Sequence, residues 1–127
     1  MKIEGIIAYP VTPFKAGGQQ LDLEALTISL NALLESHCDA IAPLGSAGES
    51  AYLSWQEWQQ VAQTTIEVVN QRVPVIVGIS ELTTAMAIQK AKKAEELGAD
   101  VIMVIPVSTG NSPIRKFMII INRLLSQ

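Results

Sequence analysis

A chain of 127 residues with 49% hydrophobic and 17% charged residues has the length and composition of one globular domain, which excludes a disordered chain. The formal charge of -3, with no segment that interleaves aromatic residues with Lys or Arg, excludes the basic surface that binds nucleic acid. Cys38 has no second cysteine to pair with, and His37 is the single histidine, so neither a disulfide nor a zinc cluster is expected.

The opening MKIEGIIAYPVTPF has a short apolar run broken by Pro10 and Pro13, no small-residue cleavage site and no apolar stretch approaching the ~20 residues of a membrane span. It reads as the start of a mature, soluble, cytoplasmic protein without a membrane partner. Residues 4–9 form the first predicted strand, followed by a Pro- and Gly-rich loop over 10–20. Asp22 is placed to cap a helix through about Glu35, because Leu23, Leu26, Leu30, Leu33 and Leu34 share one stripe. His37 and Cys38 close that helix, the histidine as a partner of its C-terminal dipole and the cysteine as a small core residue. A second strand is expected near 39–44. Ser54 and Glu57 have capping-box spacing and predict a helix from 55 to about 70, before Pro74 and a third strand at 74–78. Thr83 or Thr84 can cap a helix through Leu97, with Gly98 as its stop and a fourth strand over 100–105.

Continuous Val/Ile strands alternating with amphipathic helices indicate α/β architecture with parallel strands buried on both faces. A doubly wound sheet and a barrel both satisfy that pattern. If the fold is a barrel, four β/α units are half of one and leave two strand edges open. The charge pattern changes at the end of the chain: residues 1–108 hold six Lys/Arg and all twelve acids, whereas 109–127 hold Arg115, Lys116 and Arg123 and no acid. The chain is therefore divided into residues 1–108 and a divergent tail, 109–127, expected to pack poorly. Its run FMIIINRLL is either a further helix or sequence of unrelated origin.

Chemistry is expected at Gly45-Ser46-Ala47-Gly48-Glu49, directly after the second strand, where a β/α fold presents its ligand face. The glycines let backbone approach a ligand, successive amide N–H groups form an anion-binding concavity, and the Ser46 hydroxyl adds a donor for a carboxylate. Spacing alone leaves open an ordinary Gly-rich connector. Glu49 suits the start of a helix electrostatically. Lys15 reads as a solvated loop residue, and Lys90, Lys92 and Lys93 with Glu95 and Glu96 as a solvated charged face. Tyr52, Trp55 and Trp58 read as packing or subunit contact.

Five blocks in order, Pro-Val-Thr-Pro-Phe at 10–14, GSAGE at 45–49, Leu53-Ser54 with Glu57, VPVIVG at 73–78 and ELGAD at 96–100, resemble the dihydrodipicolinate synthase and N-acetylneuraminate lyase family of pyruvate-dependent class I aldolases, over residues 3–106. The resemblance implies a (β/α)8 TIM barrel, here its first four β/α units, and an imine (Schiff-base) mechanism without an added cofactor. The ligand implied is pyruvate or another 2-oxo acid, and the assembly a homo-oligomer. It makes Ser46 the catalytic hydroxyl of a proton relay and Ser46, Ala47 and Gly48 the carboxylate-binding positions. The family's imine lysine and catalytic tyrosine map to no position here. Ala47 stands where the family has a hydroxyl, a loss of one neutral hydrogen bond, about 0.5–1.5 kcal/mol. Val107 and Ser108 stand where lysine-biosynthetic members have two tyrosines. Trp55, Trp58, Leu82 and Met86 replace polar positions that bind feedback lysine in some members. The resemblance therefore implies a lyase fragment inactive by itself, against two alternatives: a non-catalytic or unstable half barrel that self-associates, and a flavodoxin-like binding module. The flavodoxin-like module would need a phosphate loop where Pro10 and Pro13 stand.

Overall fold

The computed structural model describes residues 5–45, 53–79, 84–104 and 117–120, with Thr84 and 117–120 as backbone alone. The elements are β1 (Ile7–Ala8), α1 (Leu23–Glu35), β2 (Ala40–Ile41), α2 (Trp55–Val69), β3 (Ile76–Ile79), α3 (Thr84–Leu97), β4 (Val101–Val104) and β5 (Phe117–Ile120).

Local signals set the helix ends. The Asp22 carboxylate accepts from Ala25 N, one of the orphan donors of the first turn. At α2 the capping box is complete: Glu57 N donates to Ser54 Oγ and Ser54 N to Glu57 Oε1. Helix α3 stops at Gly98, whose φ of 117° lets Gly98 N and Ala99 N both turn back to Ala94 O. His37 directly follows the Ser36 cap with φ 63°, exposed to solvent, and its backbone N–H reaches back to Leu34 O. Cys38 then re-enters the core, as expected.

The strands lie in chain order. β1 pairs parallel with β2, β2 meets the start of β3 through the parallel Ile41–Val75 bridge, and β3 pairs parallel with β4. Side chains alternate between two buried faces. Ile41, Val75, Val77, Ile79 and Ile102 face a core that includes Leu26 and Leu30 of α1, Trp58, Val61, Ala62 and Val69 of α2 and Ala94 of α3. Ala40, Ala42, Ile76, Val101 and Met103 form a second cluster against Ile7, to which no helix contributes among the described residues. All three helices thus cover one face, with α1 against α2 and α2 against α3. A doubly wound sheet would carry helices on both faces, so strand order and helix placement select the barrel architecture that the sequence left open.

An aspartate repeats one device at the base of each strand pair. Asp39 Oδ2 accepts from Ile6 N while Asp39 N donates to Ile6 O, and Asp100 Oδ2 accepts from Val75 N while Asp100 N donates to Val75 O. Each carboxylate holds the start of the preceding strand in register with its own.

Within the tail, Phe117–Ile120 are not the further helix its sequence offered but a strand antiparallel to β4, in register Val101–Ile120 through Val104–Phe117. The edge of β4 exposes unpaired N–H and C=O groups, and a run rich in isoleucine suits a strand that satisfies them. An antiparallel return needs only a turn, whereas a parallel neighbour needs a crossover. The rest of 109–127 lies outside the described residues.

Asp100→Ala is expected to lower unfolding free energy by about 1–3 kcal/mol, because the partly buried Val75 N–H loses its acceptor. Asp39→Ala should cost less, since Ile6 is 67% exposed and water can replace the carboxylate. Urea unfolding of the two variants checks the order.

Candidate functional site

In a parallel β/α fold the ligand face lies where the strands end. Here the ends of β1, β2, β3 and β4 bring Tyr9, Gly45, Gly78 and Met103 into one region. A Cβ placed on Gly45 would stand 3.6 Å from Tyr9 Cδ1 and 3.7 Å from Met103 Cε. The sequence reading assigned Tyr9 no role; its only signal was a phenol ending an apolar run. The structure puts it 47% exposed at the mouth, beside the start of the candidate turn. Ser46, Ala47, Gly48 and Glu49, with Tyr52 and Leu82, lie outside the described residues.

Leu44 and Gly45 lead into that segment. Leu44 is fully buried with φ 63°, a conformation a branched side chain takes only where its surroundings impose it. Gly78 lies against it. A Cβ on Gly78 would run into the Leu44 carbonyl and stand 3.0 Å from Gly45 N. Gly78 N donates to Pro43 O at 3.0 Å, and Gly78 O accepts from Trp58 Nε1 at 3.1 Å. Trp58 is wholly buried, stacks on Trp55 at 5.8 Å and 14°, and carries Lys90 Nζ 5.3 Å from its ring centroid. The packing role expected for the two tryptophans holds.

Lys90 corrects the sequence reading. Its charged neighbours place it on a solvated face, yet it is 2% exposed, lying over Trp58 on the helix side of the sheet. The aromatic face attracts the ammonium, and such a contact is worth about 2 kcal/mol when desolvated. Helical periodicity separates Lys90 from Lys92, which is exposed, and from Lys93, whose Nζ lies 3.7 Å from Glu96 Oε2. Lys15 is exposed in the loop that Phe14 and Leu21 bridge, as expected.

Two cavities sit at the other end of the strands. One, of about 440 Å³, is lined by residues that include His37, Cys38, Asp39 and Arg72; the other, of about 420 Å³, by residues that include Arg72, Pro74 and Asp100. Arg72 Nε donates to Val69 O and Arg72 Nη2 to Val68 O at the end of α2. Among the described residues no group of three or more His, Cys, Asp and Glu side chains could hold a metal, and no helix is long and apolar enough to cross a membrane.

Four parallel strands in chain order, helices on one face and a strand end at Gly45 beside Tyr9 and Met103 define part of a β/α barrel. The profile of the dihydrodipicolinate synthetase family matches residues 2–107, and the chain belongs to that family. It is 41% identical over 102 residues to the 4-hydroxy-tetrahydrodipicolinate synthase of Geobacter metallireducens, covering 80% of this chain and 34% of that protein. A Pseudomonas aeruginosa structure described provisionally as a dihydrodipicolinate synthetase superposes with a TM-score of 0.82 at 49% identity, over 88% of this chain and 38% of the other. YagE of E. coli K12, a family member solved in complex with pyruvate, superposes with a TM-score of 0.77 at 33% identity, over 85% of this chain and 36% of the other. The sequence thus spans about a third of the length of these relatives.

Burial raises the Cys38 thiol above its ordinary value, with the neighbouring Asp39 charge adding to the shift and a backbone hydrogen bond opposing it. The thiolate is the reactive form. Cys38 should therefore label slowly with iodoacetamide at neutral pH in the folded chain and rapidly in urea. Equal rates in the two states would show the thiol to be accessible.

Proposed function

We propose that this chain is the N-terminal part of a pyruvate-dependent class I aldolase of the 4-hydroxy-tetrahydrodipicolinate synthase type, a carbon–carbon lyase. Its own share of the chemistry is to hold the carboxylate of a 2-oxo acid at Gly45–Glu49. The observation that carries the reading is the position of Gly45, where that segment begins: it follows β2 with Tyr9 and Met103 beside it at the strand ends, in a chain of this family. Pyruvate on YagE supports a 2-oxo acid as the ligand class. The amides of Ser46, Ala47 and Gly48 and the Ser46 hydroxyl supply the donors, and Ser46 adds a proton-transfer group when the rest of a barrel is present. The division at residue 108 belongs to the same reading, supported by the family match ending at 107. A cytoplasmic location, the usual one for soluble metabolic enzymes, fits it.

The covalent step requires an amine that is unprotonated near neutral pH and stands at the keto carbon. Lys15 and Lys92 are exposed, Lys93 is paired with Glu96, and Lys90 lies behind Trp58, away from the strand ends. None of these meets both conditions. Pyruvate with borohydride is accordingly expected to leave the mass of the 127-residue chain unchanged. A stoichiometric adduct on any lysine, Lys15 or Lys90 included, would overturn the proposal that this chain takes no covalent step.

One observation favours the self-association reading as a second proposal. β1 has a partner on one side only among the described strands, and Ile6, Tyr9 and Val11, which flank it in sequence, are 67%, 47% and 58% exposed. An unpaired strand with apolar flanks invites a second copy. Sedimentation velocity should show a discrete small oligomer. A lone monomer at micromolar concentration would remove this reading, and polydisperse aggregate would point to an unstable product.

A further inference from the structure

A strand at the end of a sheet carries a row of unpaired N–H and C=O groups that another chain can use, and parallel β/α units leave such an edge wherever they stop. Here they stop at β4. Val101 N donates to Val75 O at 3.2 Å, on the β3 side. N–H groups alternate in direction along a strand, so Met103 also faces β3, while Ile102 and Val104 present theirs to the opposite edge. Phe117–Ile120 occupy that edge, with Ile119 opposite Ile102 and Phe117 opposite Val104.

We propose that β5 is a guard strand: it takes the β4 edge from a second copy of this chain and puts in its place an edge flanked by cations. β5 runs against β4, so a strand parallel to β1–β4 has no place beside β4 while β5 stays. Arg115 and Lys116 directly precede Phe117, Arg123 follows Ile120 by three positions, and residues 109–127 hold no acid. Two such edges brought together oppose like charges, and charge is one of the devices that keep edge strands apart. At the other end of the sheet, β1 is flanked by the exposed Ile6, Tyr9 and Val11 and by no cation nearer in sequence than Lys2. The unguarded edge is therefore β1. The guard rests on the β4–β5 pairing and not on the association through β1 proposed above.

Proline removes a backbone N–H and so separates the two directions along β5. In this register the N–H of Ile119 faces Ile102, and that of Met118 points away from β4, where an edge strand tolerates proline. In the full 127-residue chain, Ile119→Pro is expected to speed hydrogen exchange at Ile102 and Val104 by about tenfold or more, with Val101, Met103 and the amides of α2 unchanged. The same variant should form a larger particle than the unaltered chain in sedimentation velocity at equal concentration. Met118→Pro should match the unaltered chain in both measurements. Arg115→Ser combined with Lys116→Ser should give the larger particle with Ile102 and Val104 still protected. Faster exchange in Ile119→Pro without growth would overturn the guard, as would growth of that variant with Ile102 and Val104 still protected. Loss of protection throughout α2 would make β5 a support of the fold, and equal behaviour of the two proline variants would show that the ladder to β4 does not hold it; either result overturns the proposal. An unchanged particle in the double serine variant would strike out the part assigned to the cations. A monomeric unaltered chain would remove the association through β1 alone, and the variants would still decide the guard.

Discussion

Parallel strands with apolar side chains on both faces need cover on both, and that requirement organises this chain. On one face the cover is supplied locally: α1, α2 and α3 each return over the sheet and bury Leu26, Leu30, Trp58, Val61 and Ala94 against Ile41, Val77 and Ile102. A fully buried Leu or Val contributes about 1.5–3 kcal/mol, so this layer is the principal source of stability. The opposite face, Ala40, Ala42, Ile76, Val101 and Met103, receives no helix among the described residues. In a closed barrel such residues would pack against those of the remaining strands. Small residues on β2 and larger ones on β3 and β4 make a tapered surface that this chain by itself leaves half built.

The same requirement extends to the strand edges. β5 occupies the side of β4 on which a barrel would place its next parallel strand, and it runs the other way. Edge groups are satisfied by whichever strand can reach them, and an antiparallel return is the shorter route. At the base of the sheet, Asp39 and Asp100 tie strand starts together by identical pairs of bonds, so the β1–β2 and β3–β4 units are variants of one design. The family resemblance and the profile match concern this ordered part, and β5 lies outside both.

The ligand-facing end shows how far a site depends on residues remote from it in sequence. GSAGE is legible as a segment with donors, but its first residue, Gly45, and Leu44 before it lie against Gly78, some thirty residues on, whose carbonyl accepts from an indole on the intervening helix. Tyr9 joins the same mouth from β1. Lys90 illustrates the converse. Its sequence neighbours are charged and solvated, and only the placement of α3 over Trp58 reveals that this one lysine of the run is buried with its ammonium over an aromatic ring.

Local chemistry was readable from the residues themselves: the Asp22 cap, the Ser54–Glu57 box, the Gly98 stop and the apolar strands all follow from interactions within a few positions, and each forms where its pattern lies. The five ordered blocks also carried the family, since their order and spacing are properties of the chain alone. Periodicity could not choose between a doubly wound sheet and a barrel, because both bury the same strands; the choice lay in which face the helices cover. Nor could it place FMII, whose isoleucines suit a buried helix or a strand until the edge of β4 supplies a partner. What tertiary structure decided are the contacts between residues distant in sequence, the pairing of β4 with β5, the burial of Lys90 and the fit of Gly78 to Leu44, because each depends on where another element ends up and not on the residues that form it.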